Sequence, residues 1–332
     1  MELEESTKIS EELICFLEGT SLGTNGAKYT HLDVRDRIGQ TDNPKSYSLK
    51  RNTQIIANVT FCIRDFAYYV RYFAFHPIYQ STSRMKPRNR SNSIVQEKLM
   101  QVFDDLNKVN NLPFYAYIDD DNSRSKEMSM RFGFEKHTQI ITRSYSRIYP
   151  GKSKRVSFSE DWSEISKMVR QQYGHYDAYF ETHIQHPPFV VLRDGDGNIE
   201  AFARFTLVKW RLHRLPGFFG AALVRILPFI PFLRSLIKPK KHLFLAPDIV
   251  SQGVDSNKIE ALFSGALALY NVHSMIWFVD PNDHAYKGLS KKLRWGLLDK
   301  IIGVKKVNVI SRNAVKKYQA KHPFFVSAYD LI

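Results

Sequence analysis

Cysteine is scarce in this sequence, and its scarcity excludes whole classes of protein. Only Cys15 and Cys62 occur in 332 residues, with no CxxC motif and no His/Cys spacing suited to zinc. We therefore expect neither a disulfide framework nor a bound metal, and we predict a reducing cytoplasm as the location, with membrane association left open. The N-terminus is acidic and helical in pattern, the opposite of a signal peptide.

A long uninterrupted apolar run is also missing. The most apolar stretch, 215–241, contains Arg225 and Arg234, and it is broken by Pro228 and Pro231, so it is a poor transmembrane helix. The C-terminal end of this stretch is basic, with Lys238, Lys240 and Lys241. Two interpretations stay open: a segment that lies on an anionic membrane surface, or a long connection between strands that packs on its own domain.

Acidic residues are too few to balance the basic ones. Lys and Arg number 48 against 33 Asp and Glu, which gives a formal net charge of +15. Such a charge attracts polyanions, including nucleic acid, anionic lipid and the phosphates of a nucleotide cofactor. The sequence has no RNA-module motif and no helix-turn-helix signal, so nucleic acid is not an expected partner and its case depends on charge alone. An apolar content of 43% indicates a globular protein.

The most informative stretch is 114–134. Its first residues, 114–118, are apolar and aromatic and follow Pro113, which predicts a buried strand. The acidic turn that follows ends at Asn122 and can begin a helix, because such side chains cap exposed backbone N–H groups. Gly133 is placed to end that helix about ten residues later, and Phe134 leads into another strand.

These spacings resemble the second half of the GNAT superfamily of acyl-CoA N-acyltransferases. In that family a strand is followed by Asn-x-x-Ala, a helix and then Gly-Phe. Here Asn122, Ser125, Gly133 and Phe134 stand at those positions, with Ser125 in place of the usual Ala. The alternative is an ordinary strand–helix–strand unit of another α/β fold.

The order of elements in the first half agrees with this resemblance. The patterns predict a helix over 10–17, strands over 46–50, 54–64 and 67–76, a helix to about 107, a strand, a helix, and a strand over 138–144.

After a polar linker near 149–154 the same order begins again. The second half predicts a strand over 155–159, a helix over 161–173, strands over 189–193, 199–213 and 241–246, and a helix over 255–271. The stretch 273–283 then parallels 114–122, with Asn282-x-x-Ala285, a helix over 286–301, and closing strands over 304–311 and 324–328. Convergence of common βαβ patterns is the alternative to a repeat.

We therefore predict the fold class α/β (α+β), with two tandem GNAT-like domains. Each has a mixed, mainly antiparallel, twisted sheet flanked by helices. The predicted ranges are 1–149 and 155–332, the second with the apolar insertion 215–241.

The resemblance implies where an acyl-CoA would lie. In the family, the acyl-CoA sits between the fourth and fifth strands, here 70–75 and 114–118, so Phe73, Phe75 and Asn122 become candidate cofactor-binding residues. The usual glycine-rich pyrophosphate loop lacks glycine here. Charged side chains could replace bare backbone N–H groups, and the candidates are Arg84, Lys86, Arg88 and Arg90. A solvated basic loop, or one that binds RNA or lipid, is the alternative.

Catalysis needs a base for the incoming ammonium and an acid for the leaving thiolate. The family's acid is often a Tyr seven residues after the Asn, and that position is Ser129 here. His76 is the nearest ionisable candidate to the fourth strand, and Tyr286 follows Asn282 by four residues. A strand-end His and a buried Tyr are the structural alternatives for the last two.

The predicted function is transfer of an acyl group, taken to be acetyl, from an acyl-CoA to a primary amine of a small molecule or peptide. Two other classes stay open. One is a non-catalytic tandem-GNAT binding protein, and the other is a basic protein that binds membrane surfaces or nucleic acid.

Overall fold

The computed structural model describes most of the chain. The described residues are 1–23, 27–41, 43–64, 66–76, 90–182, 184–185, 188–217, 220–231, 233–313 and 322–330, with backbone alone for 90–93. They form two compact units, Met1–His137 with Asn308–Gln319, and Thr138–Val307 with Ala320–Ile332. These units differ from the ranges predicted from sequence, because two strands pass from one unit into the other.

The first unit is a sheet with helices on both faces. Its strands are β1 (Glu2–Ser6), β2 (Lys28–His31), β3 (Pro44–Arg51), β4 (Gln54–Ile63), β5 (Tyr68–Val70), β6 (Ala74–Phe75) and β7 (Phe114–Asp119). Its helices are α1 (Glu11–Glu18), α2 (Val34–Ile38), α3 (Arg90–Asn110) and α4 (Ser123–Arg131). Strands β1, β3, β4, β5 and β7 are neighbours in that order. All these pairs are antiparallel except β5 with β7, which is parallel.

Local signals explain the helix ends. The side chain of Ser10 accepts a hydrogen bond from the N–H of Leu13 at the start of α1. Asn122 does the same for Ser125 at the start of α4, and Gly133 follows α4 with a φ of +76°. These are the capping roles that the residue types favour.

Two apolar layers hold the first unit together. On one face, α3 packs on the sheet through a cluster that includes Leu99, Phe103, Phe61 and Phe114, all almost fully buried. On the other face, α1 and α2 pack through Leu13, Leu17, Val34 and Ile38.

The second unit repeats this layout. Its strands are β8 (Glu135–Ser146), β9 (Val156–Ser159), β10 (Phe189–Arg193), β11 (Ile199–Arg214), β12 (His242–Val250), β13 (Ser274–Val279) and β14 (Lys305–Arg312). Its helices are α5 (Trp162–Tyr173), α6 (Gly220–Ile226), α7 (Leu233–Leu236), α8 (Ser256–Leu269), α9 (His284–Leu289) and α10 (Leu297–Ile302). The sheet order β8, β13, β12, β11, β10, β9 is antiparallel except for β12 with β13.

The two units therefore exchange strands. β8 begins in the first unit, but from Thr138 onward it belongs to the second and pairs with β13. Conversely, β14 begins in the second unit, and its end, from Asn308, lies in the first beside β7. The predicted fold class, two α/β units that each have a mixed and mainly antiparallel sheet, is confirmed.

Three predicted elements are wrong. The sequence at the N-terminus has a helical pattern, but residues Glu2–Ser6 form strand β1, because they pair with β3. The predicted helix 286–301 is broken between α9 and α10, since Trp295 O accepts from Ser146 N at 2.8 Å and Gly296 (φ +94°) packs against Ser146. The predicted strand 324–328 has only an isolated bridge at Phe324, because Phe324 N donates to the Asp280 carboxylate instead of a neighbouring strand.

Within the described residues, no helix is long and apolar enough to cross a membrane. The same residues contain no group of three or more His, Cys, Asp or Glu side chains placed to hold a metal ion.

Candidate active site

In the first unit, two parallel strands separate partway along their length. β5 pairs with β7 at Tyr68↔Phe114 and Tyr69↔Tyr115, and no further pair follows. Beyond this point β6 stays with β4, through Ala57↔Phe75, while β7 continues to Asp119. The segments 70–75 and 114–118 are thus neighbours that diverge.

A β-bulge lies where the strands diverge. Val70 pairs with Phe61 and Ala74 with Asn58, so three residues, 71–73, lie opposite only two on β4. Arg71 N still donates to Thr60 O at 2.8 Å. A bulge bends the strand and locally disrupts the ladder, so β6 turns away from β7.

A buried polar network supports this bulge. Asn58 is fully buried, and its side-chain amide donates to the carbonyl of Tyr72 at 3.1 Å and to Thr60 Oγ1 at 3.0 Å. Its Oδ1 accepts from Ser48 Oγ at 3.0 Å, and Ser46 bonds Thr60 at 2.7 Å. Since an unpaired polar group in a core is costly, this network fixes the conformation of the bulge.

The predicted residues Phe73, Phe75 and His76 all lie along this edge. The rings of Phe73 and Phe75 are 5.2 Å apart, and the Phe73 ring is 5.1 Å from that of Phe132. All three residues are half-buried, and His76 N donates to Ile56 O at 2.9 Å at the end of the strand. Both phenylalanines pack against the core of the first unit, and their role at the cofactor and the catalytic role of His76 stay predictions.

The predicted phosphate-binding residues cannot be placed. Arg84, Lys86 and Arg88 lie outside the described residues, and the backbone of Arg90 begins α3. Their role stays a prediction.

Asn122 and Ser129 have structural partners. The Asn122 side chain caps α4, with its Oδ1 at 3.0 Å from Ser125 N. Ser129 is buried, and its hydroxyl donates to Lys126 O at 2.8 Å. Cofactor binding by Asn122 and acid catalysis by Ser129 stay predictions.

A polar cluster that the sequence analysis did not single out lies on β2 and the turn after it. The imidazole Nδ1 of His31 is 3.8 Å from Asp33 Oδ1, and Asp33 Oδ2 is 3.5 Å from Arg37 Nε. The His31 side chain is 12% exposed and that of Asp33 is 2% exposed. The Tyr29 ring meets the His31 ring edge-on at 5.4 Å. Two features of the sequence could have pointed to this cluster. Tyr29, Thr30 and His31 are residues that favour a short strand, and Asp33 is a residue type that favours the start of a helix.

The electrostatics of this cluster favour a neutral imidazole. Burial lowers the pKa of His31, the Asp33 carboxylate opposes that shift, and the charges of Arg71 and Arg37 add to it. A buried neutral histidine near neutral pH can accept a proton.

Two observations link the cluster to the diverging strands. Burial raises the pKa of Tyr29, and the charge of Asp119, the last residue of β7, raises it further. Val34, which follows Asp33, packs in one apolar cluster with Ala74 of β6 and with Tyr72, which lies in the bulge.

A groove of about 630 Å³ runs along α3, away from these groups. Among the described residues, its lining comes from that helix and includes the carboxylates of Glu97, Asp104 and Asp105. Those charges would repel the phosphates of a nucleotide, so the groove does not suit an acyl-CoA.

The second unit has a gap of the same design. β12 pairs in parallel with β13 at Leu245↔Met275 alone, and then stays with β11. A bulge on β12 leaves Asp248 without an opposite residue, because Arg204 pairs with Ile249 and Phe205 with Pro247. The buried Asp248 carboxylate forms an ion pair with Arg204.

The chain's own C-terminal segment crosses this second gap. Phe324 N donates to Asp280 Oδ2 at 2.9 Å, just after β13, and Ala328 N donates to Asp248 Oδ2 at 3.2 Å, in the bulge of β12. Every residue of 323–330 is buried. Protein backbone thus bridges the two diverging strands.

The helix that follows β12 is also unsuited to phosphate. Asp255 caps α8 by accepting from Asn257 N at 2.8 Å, so a carboxylate lies where a phosphate would bind the helix N-terminus. The cap of α9 is Asp283, whose Oδ1 accepts from Tyr286 N at 2.7 Å, so Asp283 and not Asn282 matches Asn122.

Tyr286 is buried between Trp277 and Trp295, with ring distances of 5.8 Å and 6.2 Å. Its hydroxyl is 3.5 Å from Arg143 Nη1. Its role as an acid stays a prediction.

Two units whose parallel strands part in this way are similar to the two-lobed GNAT fold. Among solved structures, Saccharomyces cerevisiae N-myristoyltransferase with bound myristoyl-CoA is similar, with a TM-score of 0.59 and 9% identity over 94% of this chain and 82% of that one. A tandem GNAT protein from the clavulanic acid biosynthesis pathway has a TM-score of 0.54 and 8% identity over 95% of this chain and 100% of that one. Comparison with protein-family models and with curated sequences finds no match. At such identities the likeness establishes the fold.

Proposed function

We propose that this protein transfers an acyl group from an acyl-CoA to the nitrogen of an amine, and that the first unit holds the acyl-CoA. The observation that carries the proposal is the parallel pair β5 and β7, which parts after Tyr69 beside a bulge fixed by Asn58. The yeast N-myristoyltransferase of this fold was solved with myristoyl-CoA bound, which supports an acyl-CoA as the co-substrate.

We assign the acyl-CoA site to the first unit because features of the second unit oppose acyl-CoA binding there. There, the C-terminal segment crosses the corresponding gap between Asp248 and Asp280, and Asp255 caps the helix that would face a phosphate. An acyl-CoA would have to displace buried backbone and approach a carboxylate. We infer that the second unit has a structural or acceptor-binding role.

The chemistry requires one proton acceptor and a well-placed thioester. An acceptor ammonium loses a proton to His31 or to the earlier candidate His76, and the freed nitrogen lone pair attacks the thioester carbonyl carbon. The C–N bond forms, the C–S bond breaks, and the sulfur leaves with the electron pair and takes up a proton. We favour His31, because it is buried next to Asp33 and close enough to Arg71 and Arg37 for their charges to lower its pKa further. Placement of the two reactants supplies much of the rate.

The finer assignments belong to this proposal as well. We propose acetyl as the acyl group, a primary amine as the acceptor, and a phosphate contact through Arg84, Lys86, Arg88 and Arg90. Membrane contact through residues 215–241 is a separate proposal, given below.

Thermal denaturation with a panel from acetyl-CoA to myristoyl-CoA tests the proposal. We expect a rise in melting temperature with at least one acyl-CoA, because a ligand that binds the folded state stabilises it. The double variant Arg84→Ala with Arg88→Ala should reduce that rise.

Lys108→Ala with Arg131→Ala is the control, since it removes two positive charges whose side chains are exposed in the first unit. It should leave the rise intact. No response to any acyl-CoA would contradict the enzyme and favour a non-catalytic binding protein. A salt-sensitive response to an oligonucleotide, without one to acyl-CoA, would favour nucleic-acid binding.

A further inference from the structure

The middle of the insertion 215–241 exposes apolar side chains, while the residues on either side of it are packed into the fold. In the middle part, Phe229 is 86% exposed, Ile226 54% and Ile230 39%. Single exposed apolar side chains are common on folded proteins, whereas several that lie together mark a surface that meets a partner. These three residues lie within five positions of one another and form a single feature, here called the apolar tip.

The base of the insertion is packed and hydrogen-bonded. Leu215, Leu227, Leu236 and Ile237 are almost fully buried. Within the insertion, Ile230 N donates to Leu227 O at 3.2 Å, and Arg234 N donates to Ile230 O at 3.1 Å. The tip is therefore held outward by a folded base, so its exposure is built into the fold.

The charge around the tip is entirely of one sign. The stretch 201–247 contains no Asp or Glu. Its basic residues within the insertion are all exposed: Arg225, Arg234, Lys238, Lys240 and Lys241. Cationic side chains beside an apolar tip suit a surface that is anionic outside and apolar just beneath, which is the interface of a lipid bilayer.

We propose that the apolar tip and its basic rim form a docking surface for an anionic membrane. Phe229, Ile226 and Ile230 would enter the boundary between headgroups and acyl chains, while the lysines and arginines contact lipid phosphates. This contact is independent of acyl transfer, because it uses none of the residues placed at the gap of the first unit.

Co-sedimentation of the full chain with lipid vesicles tests the proposal. Two compositions are compared, phosphatidylcholine alone and phosphatidylcholine mixed with phosphatidylserine. We expect clear binding to the anionic vesicles, weak binding to the neutral ones, and a loss of binding as salt is raised.

Two variants separate the two contributions. Phe229→Ala with Ile226→Ala should weaken binding to anionic vesicles by about tenfold or more, because burial of apolar area is lost while charge is kept. Replacement of Lys238, Lys240 and Lys241 by Gln should weaken it by a similar factor at low salt and reduce the dependence on salt, because Arg225 and Arg234 remain. Both sets of side chains are exposed, so we expect the variants to fold, and an unchanged melting temperature verifies this.

Matched controls come from the same unit. Tyr149→Ala removes an aromatic ring that is 80% exposed, and Gln at Lys152, Lys154 and Lys167 removes three exposed charges. Both should bind vesicles like the wild type. The proposal is overturned if the wild type binds neither vesicle, if the tip variant binds as well as the wild type, or if the controls lose as much. Preference for an oligonucleotide over vesicles, unchanged in the tip variant, would also overturn it.

Discussion

At the scale of single residues, burial decides which polar groups can do chemistry. Asn58 and Ser129 are buried with close partners, and their bonds fix backbone in place. His31 is buried beside a carboxylate, and burial holds the pKa of its imidazole below the ordinary value. A histidine in that state is neutral at pH 7, which a proton acceptor requires.

The first prediction concerns the pH dependence of acyl transfer. Because the pKa of His31 is lowered, its neutral form persists to lower pH, so kcat/KM should rise with pH along a limb centred below about 6.5 and then level off. His31→Gln should lower kcat by roughly 100-fold and abolish this limb.

The matched variant His137→Gln replaces a half-buried histidine elsewhere and should keep both rate and profile. If His31→Gln retains the limb while acyl-CoA still raises the melting temperature, His31 is structural and the proposed function stands. If the wild type responds to no acyl-CoA, the failure lies with the function itself.

At the scale of elements, the two units share one strand arrangement, but the space between the parting strands is filled differently. Each has a parallel pair of strands that parts beside a bulge, at Tyr69 in the first unit and near Asp248 in the second. In the second unit, the segment 323–330 turns the gap into core, with Phe325 packed against Tyr173 and Tyr179. The bulge that can serve a ligand in one unit therefore serves stability in the other.

Phe325→Ala should destabilise the second unit by about 3–5 kcal/mol, because it leaves a cavity at a side chain that is only 2% exposed. Urea denaturation followed by tryptophan fluorescence measures this loss. Phe158→Ala is the control, since that ring is 45% exposed and should cost far less. Equal losses in the two variants would show that the C-terminal segment adds little to the fold.

At the scale of the whole molecule, neither unit is a continuous piece of chain. The first unit needs the end of β14, where Ile310 joins its core, Asn308 Nδ2 donates to Asp120 at 2.8 Å, and Arg312 pairs with Asp104. The second unit needs β8, which pairs with β13 from Ile141 to Ser146.

A fragment of residues 1–150 should therefore fail to unfold cooperatively, since β7 loses its neighbour and the core loses Ile310. Thermal unfolding monitored by circular dichroism measures this. The same fragment with residues 303–313 fused through a flexible linker should regain a cooperative transition. Cooperative unfolding of the unfused fragment would contradict the strand exchange.

Prediction from sequence succeeded where the signal was local. The helix α4 begins after Asn122 and ends before Gly133, as the pattern indicated. The predicted helix over 161–173 also forms, and Asp161 caps it by accepting from the N–H of Ser163. It failed at 286–301, where the helix is broken because Gly296 must approach Ser146, a residue far away in the chain. The cluster around His31 was missed because its partners, Arg71 and Asp119, come from other strands.

The sequence by itself determined the order of strands and helices, their caps and the two-lobed fold, because periodicity and capping depend on residues a few positions apart. Only the tertiary structure decided where the parallel strands part, which strands are exchanged and which side chains meet at the candidate site. Those outcomes depend on contacts between distant parts of the chain, such as Asp104 with Arg312, which are 208 residues apart, and no local pattern encodes them.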